Sequence, residues 1–431
     1  MTKDVDIHVE HLTRVEGHGD ITFNAREGKL EKVEWSVTEA PRFFEALVRG
    51  KSYNYLQPIT SRICGICSIG HSMASLKATE DAMGVEISRH TELLRKLGLH
   101  GENMQSHILH VGYLVAPDLF GAGSVFPLVQ SHKDEVVKIV QLHRLANYMS
   151  DLICGRTTHP IRLSVGGFSM IPTVRELEEL RQQLELSLPV IREVAGVVRD
   201  NSGALPDFIR ETEYIGLVKD GEYALYDGLI GSTDTGTHPV EDYLKVTNEY
   251  VVPQSTAKYA RHNRESYMVG ALARFNLNYD LLTPEAKEVA EMFSLKPINY
   301  NPFMNSVAQL VEYMDSVVDS MKIIDRLLDE GLEEEKVEVE VKPGRGIGAV
   351  EVPRGILFHD YTIDRMGNCT DANCIIPTNQ NHANIQHDME ALGPGLIGKP
   401  KDEIELTLEM LVRAYDPCIS CSTHYLNVRF K

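Results

Sequence analysis

The sequence predicts an α+β fold, predominantly helical: a core of long helices with small flanking β-sheets. Three observations predict it. Four stretches of more than twenty residues keep apolar side chains at spacings of three and four, as amphipathic helices do. Short alternating stretches stand at the start of the chain and again from about residue 345, as half-buried strands do. No internal repeat, low-complexity tract or Pro/Ser-rich linker divides the chain.

The elements follow in order. Residues 4–38 alternate in "DIHVEH", "GDITFNA" and "KLEKVEWSV", with Gly-containing polar turns between them, and read as a small antiparallel sheet. From residue 57 to 331 the chain is mainly helical. Its long helices are "TELLRKLGLHGENMQSHILHVGYLV", "HKDEVVKIVQLHRLANYMSDLIC", "VRELEELRQQLELSLPVIREVAGVV" and "NSVAQLVEYMDSVVDSMKIIDRLLDEGL". The third opens after Pro172-Thr173, a helix-start signal. Residues 205–260 are mixed, with strand-like pieces "EYIGLV" and "EYALY". The run "EEEKVEVEVKP" reads as an exposed acidic turn leading into a β segment over 340–376, and closing helices follow at about 378–392 and 402–415. Length alone would suit about three domains of ~150 residues. No boundary is visible, so residues 1–431 read as a single composite unit.

Lys+Arg 43 against Asp+Glu 62 gives a formal charge of −19. Such a surface repels phosphate backbones, which argues against nucleic acid as a partner. No apolar run reaches the roughly 18–20 residues of a membrane helix, so direct membrane insertion is not expected. The start, "MTKDVDIHVEHLTRVEG", lacks the apolar core of a secretory signal, and the expected location is cytoplasmic.

In a reducing compartment, paired C-x-x-C motifs point to metal or redox chemistry rather than to structural disulfides. One pair lies in "RICGIC" (Cys64 and Cys67), the other in "DPCISCSTH" (Cys418 and Cys421). The spacing alone leaves three readings open: a closed four-cysteine zinc staple, two separate redox dithiols, or an iron–sulfur cluster. The flanks favour a tuned metal site. His71 stands four residues beyond Cys67, and Asp416 and His424 bracket the second pair, as groups that support sulfur ligands do.

Taken along the whole chain, "RVEGHG" (14–19), "RFFE" (42–45), "RICGICSIGH" (62–71), "HILHVGYLVAPD" (107–118), "VPRG" (352–355), "IIPTNQN" (375–381) and "DPCISCSTH" (416–424) resemble the large, catalytic subunit of nickel–iron hydrogenases, in the family's order. Length and the last motif are most similar to the soluble, cytoplasmic branch. The resemblance implies that Cys64 and Cys418 are terminal nickel ligands. It implies that Cys67 and Cys421 bridge nickel to an iron carrying carbon monoxide and cyanide. It implies that Glu16, beside the Cys418 sulfur, relays protons, and that His71 donates to a bridging sulfur, that of Cys67. Arg354 would stand over the open metal position beside Pro353, with Asp118 and Asp416 pairing with it or holding it. Thr378 would donate to a cyanide, its other reading being a helix cap. Glu45, His424 and the carbonyl of Cys374 would hold Mg2+ or Fe2+.

H2 carries no charge and almost no dipole, so side chains alone cannot grip or polarise it. A metal and a base must share the work, and protons and electrons need separate exits. Few cysteines remain for an iron–sulfur wire. The resemblance therefore implies an iron–sulfur small subunit, with diaphorase-type subunits linked to flavin, NAD(P), a deazaflavin or ferredoxin beyond it. It also implies a maturation endopeptidase. Residues 425–431 are either a tail removed after nickel insertion or one of the short tails some relatives keep. The alternatives are a complex-I-like quinone-site subunit and a zinc-stapled scaffold without catalysis.

Overall fold

The computed structural model describes residues 4–333 and 337–423. The chain opens with an antiparallel meander of β1 (Val5–Val9), β2 (Gly19–Arg26) and β3 (Lys29–Val37). Strict alternation buries Ile21, Phe23 and Ala25 on one face of β2. A short helix, α1 (Phe44–Val48), leads to α2 (Ser68–Met83), which begins directly after Cys67.

The helical body is built from α3 (Arg89–Leu109), α4 (Lys133–Cys154), α5 (Val174–Asn201) and α6 (Asn305–Glu330). All four long periodic stretches are helices. α5 starts where the sequence signals it: Thr173 and Glu176 form a reciprocal capping box. α6 packs on both α3 and α5, and α4 packs on α3. Between α5 and α6 lies a four-stranded sheet containing β4 (Glu213–Val218), β5 (Leu229–Ser232), β6 (Gly236–His238) and β7 (Tyr267–Met268), in the order β7-β4-β5-β6. "EYALY", at residues 222–226, is not a strand. Its apolar residues are buried against other elements instead: the Leu225 carbonyl accepts from Glu351 N–H, and the Tyr226 hydroxyl meets Arg95 on α3.

Residues 334–336 of the acidic run lie outside the described residues, and 337–343 have no regular structure. An antiparallel sheet follows: β8 (Gly344–Val352), β9 (Gly355–Ile363) and β10 (Cys369–Ile375). β8 lies on α2 at main-chain contact. A β-carbon at Gly344 would stand 2.2 Å from the Ala82 carbonyl oxygen, one at Gly346 2.3 Å from that of Ala78, and one at Gly348 2.1 Å from that of Ala74. Alternate glycines on the strand thus face alanines four apart on the helix. α2 starts just after Cys67 and β8 runs into Pro353-Arg354, so this bare contact sets the spacing between the first cysteine pair and Arg354.

The chain closes with α7 (Pro377–Leu392), α8 (Lys401–Ala414) and α9 (Ile419–Ser422). Trp35 Nε1 donates to His382 Nδ1 at 3.0 Å, docking the first sheet on α7. The largest buried cluster draws on β2 and β3, the long helices and α8, and it includes all four cysteines of the two pairs. Among the described residues, no helix is long and apolar enough to cross a membrane. His424 and residues 425–431 lie outside the described residues.

Candidate metal centre

Each cysteine pair is shaped by its own backbone. Cys64 is extended, and the N–H groups of Ile66 and Cys67 turn back to its sulfur at 3.3 and 3.1 Å. Cys418 precedes the single turn of α9. Its N–H donates to Thr378 Oγ1 at 3.0 Å, and the next N–H, of Ile419, donates to the Glu16 carbonyl at 2.9 Å. Arg42 joins the two loops, since its Nη2 donates to the carbonyls of both Ile63 and Ser420.

The four sulfurs of Cys64, Cys67, Cys418 and Cys421 all lie within 4.8 Å of one another. Cys64 and Cys418 Sγ are 3.5 Å apart, and those of Cys418 and Cys421 are in direct contact. None of the four residues is more than 5% exposed. Soft donors gathered in a dry pocket suit thiophilic transition metals, so the residues fit a nickel–iron centre. Within the first pair, burial pushes Cys64 up, yet its hydrogen bond with Cys67 and the positive charge of Arg354 bring it below the ordinary thiol value. The same hydrogen bond, with burial, pushes Cys67 well up.

Arg354 is buried beside these sulfurs. Its Nε donates to the Asp416 carbonyl at 2.6 Å and its Nη2 to Asp416 Oδ1 at 2.9 Å. Burial works against its charge, but Asp416 and the sulfurs of Cys67 and Cys64 hold it protonated. The loop carrying it is pinned from behind, as Arg274 donates to the carbonyls of Val352 and Pro353 at 2.8 and 3.0 Å.

Asp118 departs from expectation. It pairs not with Arg354 but with Arg14, at 2.6 Å, and with Arg413, at 2.8 and 3.0 Å. Those guanidinium groups flank it from the N-terminal segment and from α8, so its carboxylate ties these elements together. Thr378 does not cap α7: Ile376 holds that position, and the Thr378 hydroxyl accepts from Cys418 N–H instead.

Glu16 pairs its backbone with Cys418, and its carboxylate accepts from Ser420 Oγ and N at 2.6 and 3.1 Å. His71 lies one turn into α2. Its backbone N–H donates to the Cys67 carbonyl at 3.1 Å, and its Nδ1 is 3.1 Å from His359 Nε2. Glu45, on α1, is buried. Burial and then the Glu45 charge push the Cys374 thiol well up, and α1, which carries Glu45, packs on β10, which carries Cys374. Of the second expected ligand set, His424 lies outside the described residues. The Thr423 carbonyl before it accepts from Arg42 N–H at 2.9 Å.

Sequence reasoning passed over several contributors. Glu102, buried on α3, accepts from the N–H groups of Ile69 and Gly70 at 2.7 and 3.0 Å, seating the start of α2 just past Cys67. Burial pushes its carboxyl up to about 8. A charged residue inside the helical stripe of α3 is the signal that could have found it. Ser420, between two cysteines, carries no such signal.

The model of the nickel-dependent hydrogenase family matches residues 42–127 and 218–424, more than half of the chain. The alpha subunits of sulfhydrogenases 2 and 1 of Pyrococcus furiosus are each 31% identical over 98% of this chain, covering 100% and 98% of their own lengths. The crystal structure of an NAD+-reducing [NiFe]-hydrogenase in the H2-reduced state superposes with a TM-score of 0.88 at 25% identity, over 97% of this chain and 99% of that one. The two matched segments contain both cysteine pairs, which decides against a zinc staple and against a quinone-site subunit. With a thiol pocket built from opposite ends of its sequence, the chain belongs to the nickel-dependent hydrogenase family, as a catalytic subunit with a nickel–iron centre.

Proposed function

We propose that Cys64, Cys67, Cys418 and Cys421 hold the nickel–iron centre, Cys64 and Cys418 terminally on nickel and Cys67 and Cys421 between nickel and iron. The iron carries carbon monoxide and cyanide. The observation that carries this reading is the gathering of four buried sulfurs within 4.8 Å. When bound, the centre supplies heterolytic cleavage of H2 and its reverse.

The chain's own residues do the rest. Glu16 takes the proton released at the Cys418 side and passes it outward past Ser420, to which its carboxylate is bonded. Arg354 holds a fixed positive charge at the pocket wall, aimed by Asp416, and favours negative charge there. Pro353 shapes the same wall, and Thr378, its oxygen already accepting from Cys418 N–H, has its hydroxyl proton to offer a cyanide. His71, held by His359, supports the Cys67 side. Asp118 braces Arg14 and Arg413 rather than acting on Arg354. Glu45, the Cys374 carbonyl and His424 hold Mg2+ or Fe2+, a set dominated by oxygen as such cations prefer.

Cys154, Cys369 and Cys374 are too few for an electron wire. An iron–sulfur small subunit therefore takes the electrons. Diaphorase-type subunits pass them to NAD(P), a deazaflavin or ferredoxin, in the cytoplasm. A maturation endopeptidase acts on the tail if 425–431 is removed. The test is elemental analysis and infrared spectroscopy of the purified complex. Nickel and iron in equal amounts with carbon monoxide and cyanide bands are expected, and zinc alone would overturn the reading.

A further inference from the structure

Arg354 rides at the tip of the hairpin between β8 and β9. Val352 pairs with Gly355, so the turn consists of Pro353 and Arg354 alone. Such a tip is ordinarily the loosest part of a hairpin, and Pro353 has no N–H with which to hold it. Here the tip is held from beneath. Gly270 comes so close that a β-carbon there would stand 3.3 Å from the Arg354 carbonyl oxygen. In the helix that follows, Ala271–Asn278, Arg274 is fully buried. A guanidinium carries five N–H groups, and in Arg274 each of them has an acceptor. Nε and Nη2 donate to the two oxygens of Glu312 at 2.6 and 2.7 Å. Nη1 donates to Glu351 Oε2 and to the Val352 carbonyl, both at 2.8 Å. The second N–H of Nη2 donates to the Pro353 carbonyl at 3.0 Å.

The acceptors are themselves fixed. Glu351 Oε1 accepts from Leu217 N–H at 2.7 Å. Glu312 accepts from the Tyr223 hydroxyl at 2.6 Å and meets His107 Nε2 at 2.7 Å. Tyr223 belongs to "EYALY", and two residues on, the Leu225 carbonyl takes Glu351 N–H at 2.7 Å. This stretch therefore braces both residues whose carboxylates aim Arg274. We infer that Arg274 is a positioning residue: it fixes the two carbonyls immediately before Arg354 and so sets where the Arg354 charge stands beside the thiol pocket. A lysine would keep the positive charge, but its three N–H groups radiate from one atom and cannot span two carboxylates and two carbonyls.

The placement rests on these hydrogen bonds; its bearing on turnover rests on the function proposed above. A crystal structure of the assembled complex carrying Arg274→Lys reads the placement directly. Arg354 should be displaced and its two-point contact with Asp416 lost. Turnover should fall about tenfold at unchanged nickel content, the loss typical of groups that support a metal site, and the cyanide infrared bands should shift. Arg274→Lys combined with Arg354→Lys should be no slower than Arg354→Lys alone, since one acts through the other. Arg95 is the control, an arginine equally buried against Glu80. Arg95→Lys should lower thermal stability as Arg274→Lys does, yet leave the bands and turnover unchanged. Arg354 unmoved with bands and turnover unchanged in Arg274→Lys overturns the inference, and so does an equal band shift in Arg95→Lys. Should the Arg274 variant fail to assemble, Tyr223→Phe removes one hydroxyl and keeps the ring. A smaller band shift is then expected, and unmoved bands overturn the role. Absence of nickel from the wild-type complex would instead count against the functional reading, and the crystallographic result would still decide the placement.

Discussion

Arg354 grips Asp416 at two points, its Nε on the carbonyl and its Nη2 on the carboxylate, two residues before Cys418. The charge over the pocket is thereby fixed to the same short segment that supplies half of the sulfurs. Arg354→Lys keeps the charge and loses the two-point geometry. Turnover should fall about 10²–10³-fold, the scale of removing one preorganised electrostatic donor, while nickel and iron stay in place. Hydrogen uptake assayed alongside metal content checks this, and full activity in the lysine variant would remove Arg354 from the mechanism.

Serine in place of any of Cys64, Cys67, Cys418 or Cys421 puts a hard hydroxyl where a soft thiolate is expected. Each variant should emerge from the cell lacking most of its nickel. Full nickel in any one of them, by elemental analysis, would take that cysteine out of the ligand set.

Glu16 is bonded to Ser420 through both Oγ and N. Glu16→Gln preserves an acceptor for those donors and removes the ability to take up a proton. Exchange between H2 and deuterated water should slow by about 10²–10⁴, the range for loss of a positioned acid–base group. The carbon monoxide and cyanide bands should remain. Equal exchange rates in variant and wild type would show that protons leave elsewhere.

On α6, Asp315 is buried and accepts from Thr283 N–H at 2.8 Å. Burial pushes its carboxyl up to about 6, and the nearby Asp319 adds to this. The folded state therefore binds this proton more tightly than the unfolded chain does. Stability from this group is present below about pH 4 and is lost as pH rises through about 6, by about 3 kcal/mol in all. Asp315→Asn keeps an acceptor and has no charge to bury. Thermal unfolding should show the asparagine variant gaining on wild type between acid and neutral pH, and parallel curves would refute the assignment.

Much of this was legible in sequence because it is periodic or local. The four long helices announce themselves by spacing, and the start of α5 by Thr173 and Glu176, three residues apart. The cysteine motifs are short and specific. What stayed hidden depends on contacts across the chain. Asp118 finds Arg413 nearly three hundred residues away, and no spacing rule foretells that pairing. His110 and Gln309 look like ordinary polar positions until the packing of α6 on α3 brings their side chains to 2.6 Å. "EYALY" has the composition of a strand, but Glu351 of β8 meets it at the Leu225 carbonyl and no ladder forms along its length.

The alternate glycines of β8 lie bare against the alanines of α2, with no side chain between the two main chains. The distance from Cys67 to Arg354 thus has no adjustable part: there is no rotamer to flip and no packing void to fill. A single methyl group added anywhere along that seam would act as a shim, tilting the strand and carrying the guanidinium with it. Catalytic tolerance in this molecule is therefore machined at residues that never meet hydrogen.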